Sequence, residues 1–313
     1  MTVGQGTVET RPAVPPRTAW ARLGPHLTGW AFAAPFLVIF LVFLALPILA
    51  SLVLSFTGFG LGNLRDWFSA EFVGLDNYTR LVDDEIFLKA ARNTLVFVVF
   101  GVPVTIALGL LAALGLNRAL GRLQGLFRVG YYLPVVTSIV AIAVIWRYLL
   151  HPDYGLVNAL LGKFGFNPVN WLGESSTALG SIVALGVWRN FGFDMVIFLA
   201  ALQGINPALI EAARVDGATS WQVFSRVTLP LLKPAILFLA IITSSGYLQL
   251  FEEPFVMTGG GPLNSTLSVS MYVYQGLSFG NYGYASAVAY TLFVAIVVLA
   301  VIQFRLLRSD ETA

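Results

Sequence analysis

Charged residues in this chain are spaced so that long apolar runs lie between them. A charge at the bilayer centre costs at least about 2.5 to 3.5 kcal/mol, so such residues act as fence posts around membrane spans. No Asp, Glu, Lys or Arg stands between Arg22 and Arg65, which predicts a first span over about Trp30–Phe56. Arg92 and Arg118 bound a second, about Asn93–Leu116. Arg128 and Arg147 bound a third, about Val129–Leu150, with Arg147 near enough to one end to reach the headgroups. The fourth, about Leu179–Gln203, is apolar except for Arg189, Asn190 and Asp194. Lys233 and Glu252 bound a fifth, and a sixth covers about Tyr284–Phe304. These runs approach or exceed the ~20 residues that a hydrocarbon core requires. The predicted fold is an all-α polytopic membrane protein with six transmembrane helices. Its single transmembrane domain covers 29–306, between an N-terminal tail (1–28), polar, Pro-containing and read as unstructured, and a C-terminal tail (307–313).

Six spans put both termini on one side, and the excess of Lys and Arg in cytoplasmic segments decides which. With a cytoplasmic N-terminus the inner segments hold Arg11, Arg17, Arg22, Arg118, Arg122, Arg128, Arg214, Arg226, Lys233, Arg305 and Arg308. The outer ones hold Arg65, Arg80, Lys89, Arg92 and Lys163, beside an acidic cluster at Asp83, Asp84 and Glu85. Eleven basic residues inside against five outside predict cytoplasmic termini.

Composition narrows the chemistry. The 313 residues are 57% hydrophobic and only 11% charged, against roughly 25% charged in soluble domains, which excludes disorder and argues against a water-soluble fold. The chain has no cysteine, hence no disulfide framework and no thiolate ligand or nucleophile, and its two histidines, His26 and His151, are far apart in sequence. A net charge of +2 is too small for a nucleic-acid partner. A phosphate-cradling loop needs Gly-Lys followed by Ser or Thr, and here Gly162-Lys163 precedes Phe164. With no H-E-x-x-H and no G-x-S-x-G either, the reading is of a non-enzyme with no catalytic residue, no metal site and no cofactor of its own.

The loop between the fourth and fifth spans, 204–233, has a pattern of its own. Asn206 is placed to cap a helix opened by Pro207 that runs through Glu211, Ala212 and Ala213 and stops at Gly217. Thr219 with Gln222 three residues on forms a capping box for a second helix, ended by Pro230 and Pro234. The result is a helix-turn-helix at the cytoplasmic surface, with Leu209, Ala212, Ala213, Trp221 and Phe224 as apolar contacts suited to a partner's groove.

Glu211-Ala212-Ala213, three residues, Gly217, nine residues, then Val227-Thr228-Leu229-Pro230 resembles the EAA signature of permease subunits of binding-protein-dependent ABC importers. The one departure is Val227, where the pattern usually has isoleucine. Asp216-Gly217-Ala218 extends the fit. Phe72-Val73-Gly74-Leu75-Asp76-Asn77-Tyr78, Leu133-Pro134, Thr258-Gly259-Gly260-Gly261-Pro262 and Ala285-Ser286-Ala287 are similar to the carbohydrate-uptake branch, in the maltose-type superfamily. The resemblance implies a multi-pass subunit in a prokaryotic cytoplasmic membrane. Its implied partners are a second permease, two ATPase subunits that bind ATP and Mg, and an extracytoplasmic solute-binding protein, with membrane lipid around it. It further implies a sugar or oligosaccharide substrate and coupling to the ATPase through Glu211, Ala212, Ala213, Asp216, Gly217, Leu229 and Pro230.

An ionisable residue inside a span is a functional candidate. Arg189 falls near the midplane of the fourth span beside Asn190; Asp194, five residues on, is about 140° around the helix and is not expected to pair with it. An alternative for Arg189 is a pair with the second permease. In the fifth span Thr243 and Tyr247 share a face, with Gln249 beyond. The resemblance implies that the fourth and fifth spans line the pathway, with Arg189, Asn190, Thr243, Tyr247 and Gln249 toward the solute. Ser244 and Ser245 read as packing residues and Trp146 as an interface anchor. Glu252 and Glu253, at the outer end of span five, are read as solvated, as a gate, or as selecting cationic or amino-sugar solutes. Two rival functions remain at this stage: an importer of glycerol-3-phosphate or a related polyol phosphate, which Arg189 would suit, and an ion-coupled secondary transporter, which predicts internal pseudo-symmetry that is not visible here.

Overall fold

The computed structural model describes residues 19–119 and 124–307. Arg11, Arg17, Arg122 and Arg308, four of the residues behind the predicted orientation, lie outside the described residues, as do 1–18 and 308–313 of the two tails. The chain forms two compact units, 1–51 and 52–313. Among the described residues the secondary structure is helical, with no strand beyond an isolated bridge between Thr57 and Phe72. Four helices are long and apolar enough to cross a membrane unbroken: Gly29–Leu54, Glu85–Asn117, Ala178–Gln203 and Tyr282–Leu306. Two bent pairs, Gln124–Val136 with Ile139–Leu149 and Ser220–Leu231 with Lys233–Leu248, bring the number to six if each is one span.

The first unit departs from expectation in one respect. Residues 19–28, upstream of Trp30, are helical where an unstructured tail was expected. Ala19, Ala21 and Leu23 have high helix propensity, and the turn they form continues the span.

Prolines explain where the spans deviate from regular helix. A helical proline has no N–H for the carbonyl four residues back, and its ring crowds that carbonyl. Pro47, Pro103 and Pro230 each follow a wide π-helical turn by two residues: Leu41–Ala45, Phe97–Gly101 and Phe224–Thr228. The wider turn moves Phe43, Val99 and Arg226 clear of the ring without ending the helix. The third span passes through Pro134 and breaks further on. It breaks after Val136 and resumes at Ile139 bent by 98°, which corrects the straight span predicted over 129–150. The Thr137 hydroxyl donates to the Leu133 carbonyl at 2.8 Å, taking an acceptor that the continuing helix would use.

In the second unit the long helices pack through small residues. A Cβ on Gly109 of the second span would lie 2.6 Å from the Asp194 Cβ, so the second and fourth spans meet at a distance only glycine allows. Phe97, Val98, Ile182, Leu185 and Leu248 form the middle of the core; Ala113, Met195, Phe198, Leu202 and Leu239 continue it toward the 204–233 segment. Leu81, Phe87, Leu267, Met271 and Val288 close the opposite end. There Asn77 donates to the Ser55 and Thr57 carbonyls, and Asn93 to those of Asn264 and Leu267. Asp84 caps the helix Glu85–Val96 through the Ile86 and Phe87 amides and accepts from the Tyr272 and Tyr284 hydroxyls. The apolar outward faces of the spans, such as Phe293 and Val294 in the sixth, stay exposed as lipid-facing surface does.

Candidate functional site

The fourth and fifth spans run side by side, and a cavity of about 240 Å³ opens between them. Arg189, Asn190, Thr243, Tyr247, Gln249, Glu252 and Glu253, named from the sequence, all line it, and so do Asp194, Phe193, Val135 and Gly246. Helical periodicity explains the grouping. Asn190, Phe193 and Asp194 repeat at three and four residues along the fourth span, as Thr243, Gly246 and Tyr247 do along the fifth. The spacing of Asn190 and Asp194, one turn apart, was the available signal for Asp194.

Polar contacts in the cavity are incomplete. The Thr243 hydroxyl donates to Asp194 Oδ1 at 3.4 Å, while Asp194 Oδ2 is buried and has no hydrogen-bond partner, although the residue is only 1% exposed. Arg189 Nε is likewise buried without a partner. Buried polar atoms are satisfied in the great majority of cases, so Arg189 and Asp194, two residues of one cavity wall with one unpartnered buried atom each, stand out from the packing around them. Arg189 Nη1 lies 3.9 Å from Glu253 Oε1, and the Glu253 side chain is 4% exposed. Glu253 is therefore not a solvated end-of-span carboxylate, and Arg189 has an acidic neighbour in its own chain. Sequence reasoning missed this pair because an irregular stretch after Leu248 turns the short helix Glu252–Thr258 back toward the fourth span.

The other named residues are more constrained. The Tyr247 hydroxyl is 3.0 Å from that of Thr105, and its ring lies against Gly101 and Gly186, so its polar atom is already engaged within the chain. Asn190 Nδ2 donates to the Gly186 carbonyl at 2.9 Å and Gln249 Nε2 to that of Ser245 at 3.1 Å. Ser244 Oγ donates to Gln303 Oε1 of the sixth span at 3.2 Å, and Trp146 packs on Trp188 at 5.6 Å between ring centres.

The 204–233 segment folds from its caps. Asn206 Oδ1 accepts from the Ala208 amide at 3.0 Å and opens the helix Pro207–Val215. Gly217 sits at φ +83°, a conformation that a β-branched residue resists, and reverses the chain. Thr219 and Gln222 exchange their bonds as a capping box, the Thr219 amide reaching Gln222 Oε1 at 2.7 Å. The second helix does not end at Pro230: it passes through the π turn and bends by 62° into Lys233–Leu248. Glu211, Ala212, Asp216, Gly217 and Pro230 are exposed, and Ala213 and Leu229 half-buried. Val215 at 87% and Trp221 at 71% exposure form an apolar rim beside Glu211.

Helices of membrane-spanning length around a small polar cavity, with a capped helix-turn-helix at one end, define a polytopic membrane permease. Residues 105–308 match the family described as binding-protein-dependent transport system inner membrane component, and the chain belongs to that family. It is similar to the lactose transport system permease protein LacF of Rhizobium radiobacter, 39% identical over 91% of this chain and 95% of that one. It is also similar to the arabinooligosaccharides transport system permease protein AraP of Bacillus subtilis, 33% identical over 97% and 96%. A crystal structure of a bacterial ABC transporter involved in the import of the acidic polysaccharide alginate contains a chain of the same fold. Its TM-score is 0.77, with 28% identity over 94% of this chain and 99% of that one. The chain is thus a non-catalytic permease subunit, and an ion-coupled secondary transporter finds no support.

Proposed function

We propose that this chain is one of two permease subunits of an ATP-driven importer for a sugar or oligosaccharide, and that the cavity between the fourth and fifth spans is its share of the pathway. The observation that carries the reading is a hydrogen-bond donor and an acceptor side chain on the wall of that cavity, Arg189 as donor and Asp194 as acceptor. Sugar hydroxyls both accept and donate, so a hydroxylated guest answers both. Asn190, Thr243 and Gln249 add polar groups, while Tyr247 holds the wall. At about 240 Å³ the cavity is smaller than the roughly 300 to 1,000 Å³ of typical ligand sites, which favours a second permease completing it. Relatives whose names specify lactose and arabinooligosaccharides support the sugar class.

In this reading both termini and the 204–233 segment are cytoplasmic, in keeping with the distribution of Lys and Arg. The segment docks on an ATPase subunit through Glu211, Ala212, Ala213, Asp216, Gly217, Leu229 and Pro230, and ATP and Mg bind to that partner. The solute arrives from an extracytoplasmic binding protein, at the end of the fifth span that carries Glu252.

The test is solute-dependent ATPase stimulation of the purified complex across a panel of glycans, together with uptake by Asn190→Ala and Gln249→Ala. A hydrogen bond lost to a partner costs on the order of 0.5 to 1.5 kcal/mol, so each substitution should weaken apparent affinity by about two- to tenfold with complex yield intact. Stimulation by no glycan in the panel would refute the sugar class. Unchanged affinity in both variants would remove the cavity from the pathway.

A further inference from the structure

We propose that this cavity is built for saccharides without negative charge, and that Glu253 sets the selectivity by occupying the one cation, Arg189, that would otherwise hold an acidic sugar. This rests on the cavity being the pathway. A guanidinium in a span is a strong site for carboxylate, sulfate or phosphate, which it grips through forked donors. Here that charge is already answered: Glu253 Oε1 stands 3.9 Å from Arg189 Nη1, and its side chain is 4% exposed. Two more carboxyl groups, Asp194 and Glu252, line the same wall, and the remaining polar lining is neutral. Three acids face one base.

An anionic solute would have to displace Glu253 from Arg189, after which the buried carboxyl either stays charged beside the solute or takes up a proton, and both are costly. A neutral sugar meets no such barrier. The gap of 3.9 Å is an ion pair without a hydrogen bond, and Asn190, Thr243 and Gln249 on the same wall are neutral polar groups suited to hydroxyls. The comparison with an importer of the acidic polysaccharide alginate shows that the shared fold does not itself exclude acidic solutes. The exclusion belongs to this pair, and the same pairing weakens the case for a polyol phosphate.

The experiment measures binding of radiolabelled neutral di- to tetrasaccharides and of their C6-carboxylate counterparts. Equilibrium dialysis is run against the whole complex in nanodiscs with no binding protein added, so that the selection made by that protein does not enter. The wild type should hold the neutral sugars at least tenfold more tightly than the uronates. E253Q, nearly isosteric, frees the guanidinium and should narrow that ratio at least tenfold. The double variant R189Q/E253Q removes both charges and should keep the uronates excluded. Should E253Q assemble poorly, Glu253→Asp, which lengthens the pair and keeps its charge, is measured instead and should move the ratio the same way by a smaller factor. Equal binding of both classes by the wild type overturns the proposal. So does an unchanged ratio in an assembled Glu253 variant. Retention of no saccharide by the wild type overturns the pathway assignment and the selectivity with it, a result distinguishable from equal binding.

Discussion

Tyr247 shows how a residue can line a cavity and still belong to the packing. Its ring is wedged between two glycines of neighbouring spans: a Cβ on Gly101 would lie 2.8 Å from the ring, and one on Gly186 would lie 3.1 Å from it. Because both sides are occupied, the ring cannot step aside for a methyl group. Gly101→Ala is expected to destabilise the protein by about 1 to 3 kcal/mol through overpacking, read as a lower midpoint in thermal unfolding of the detergent-solubilised complex. An unchanged midpoint would mean that the ring has room. Tyr247→Phe keeps the ring and loses the hydroxyl's contacts with Thr105 and Asn190, so the expected cost is about 1 kcal/mol, with solute affinity nearly unchanged. The sequence placed Tyr247 on the cavity face through its spacing from Thr243. It did not reveal the Thr105 hydroxyl, which comes from 142 residues away.

Among the elements, the capped segment at 204–233 was readable almost in full, because caps and turns are local chemistry. Asn206, Gly217, Thr219 and Gln222 do what their side chains dictate within three residues. Replacing Gly217 with valine puts a β-branched residue at φ +83°, a conformation that costs it on the order of 1 to 3 kcal/mol. Gly217→Val and Glu211→Lys should each abolish transport while the chain still inserts in the membrane, since the docking surface is altered and the core is not. Full uptake by either variant, or normal stimulation of the ATPase, would remove the docking role. At the opposite end Asp84 joins three elements. Burial pushes its carboxyl up, but hydrogen bonds from Tyr272, Tyr284 and the Phe87 and Ile86 amides outweigh that and hold it below its ordinary value of 3.8. Burial and the neighbouring Asp84 raise the Tyr272 hydroxyl to about 12. A lowered folded-state value means that the carboxylate stabilises this junction above the ordinary value and that the contribution is lost as the pH falls through the folded one. Amide exchange at Ile86 and Phe87 should therefore be slow at neutral pH and speed up as the pH falls below about 4, beyond the intrinsic pH dependence of exchange. Asp84→Ala should show fast exchange at every pH, and equal protection in the two proteins would contradict the junction.

For the whole molecule, the missing phosphate-cradling loop leads to a direct expectation. The chain purified alone should show no ATP hydrolysis and no nucleotide affinity, and saturable nucleotide binding at micromolar concentrations would contradict it. Orientation is open to an equally direct test. A cysteine placed at Thr219, in a chain with no cysteine of its own, should resist a membrane-impermeant thiol reagent in intact cells and react after the membrane is opened. Labelling in intact cells would put the 204–233 segment on the outside.

Apolar runs between charges determined by themselves that the chain is helical and where four of its spans run, because a bilayer penalises charge and unpaired backbone so heavily that composition alone locates a crossing. The capped segment was likewise determined by residues close together in sequence. Prolines stand two residues after the π turns at Leu41–Ala45, Phe97–Gly101 and Phe224–Thr228, whereas the helix passes through Pro134 and the 98° bend falls after Val136, where no proline stands. Only the tertiary structure brought Glu253 to Arg189. Helical periodicity fixes which side chains share a face of one span, whereas the pairing of two charges 64 positions apart depends on how a later turn folds back, which no local rule encodes.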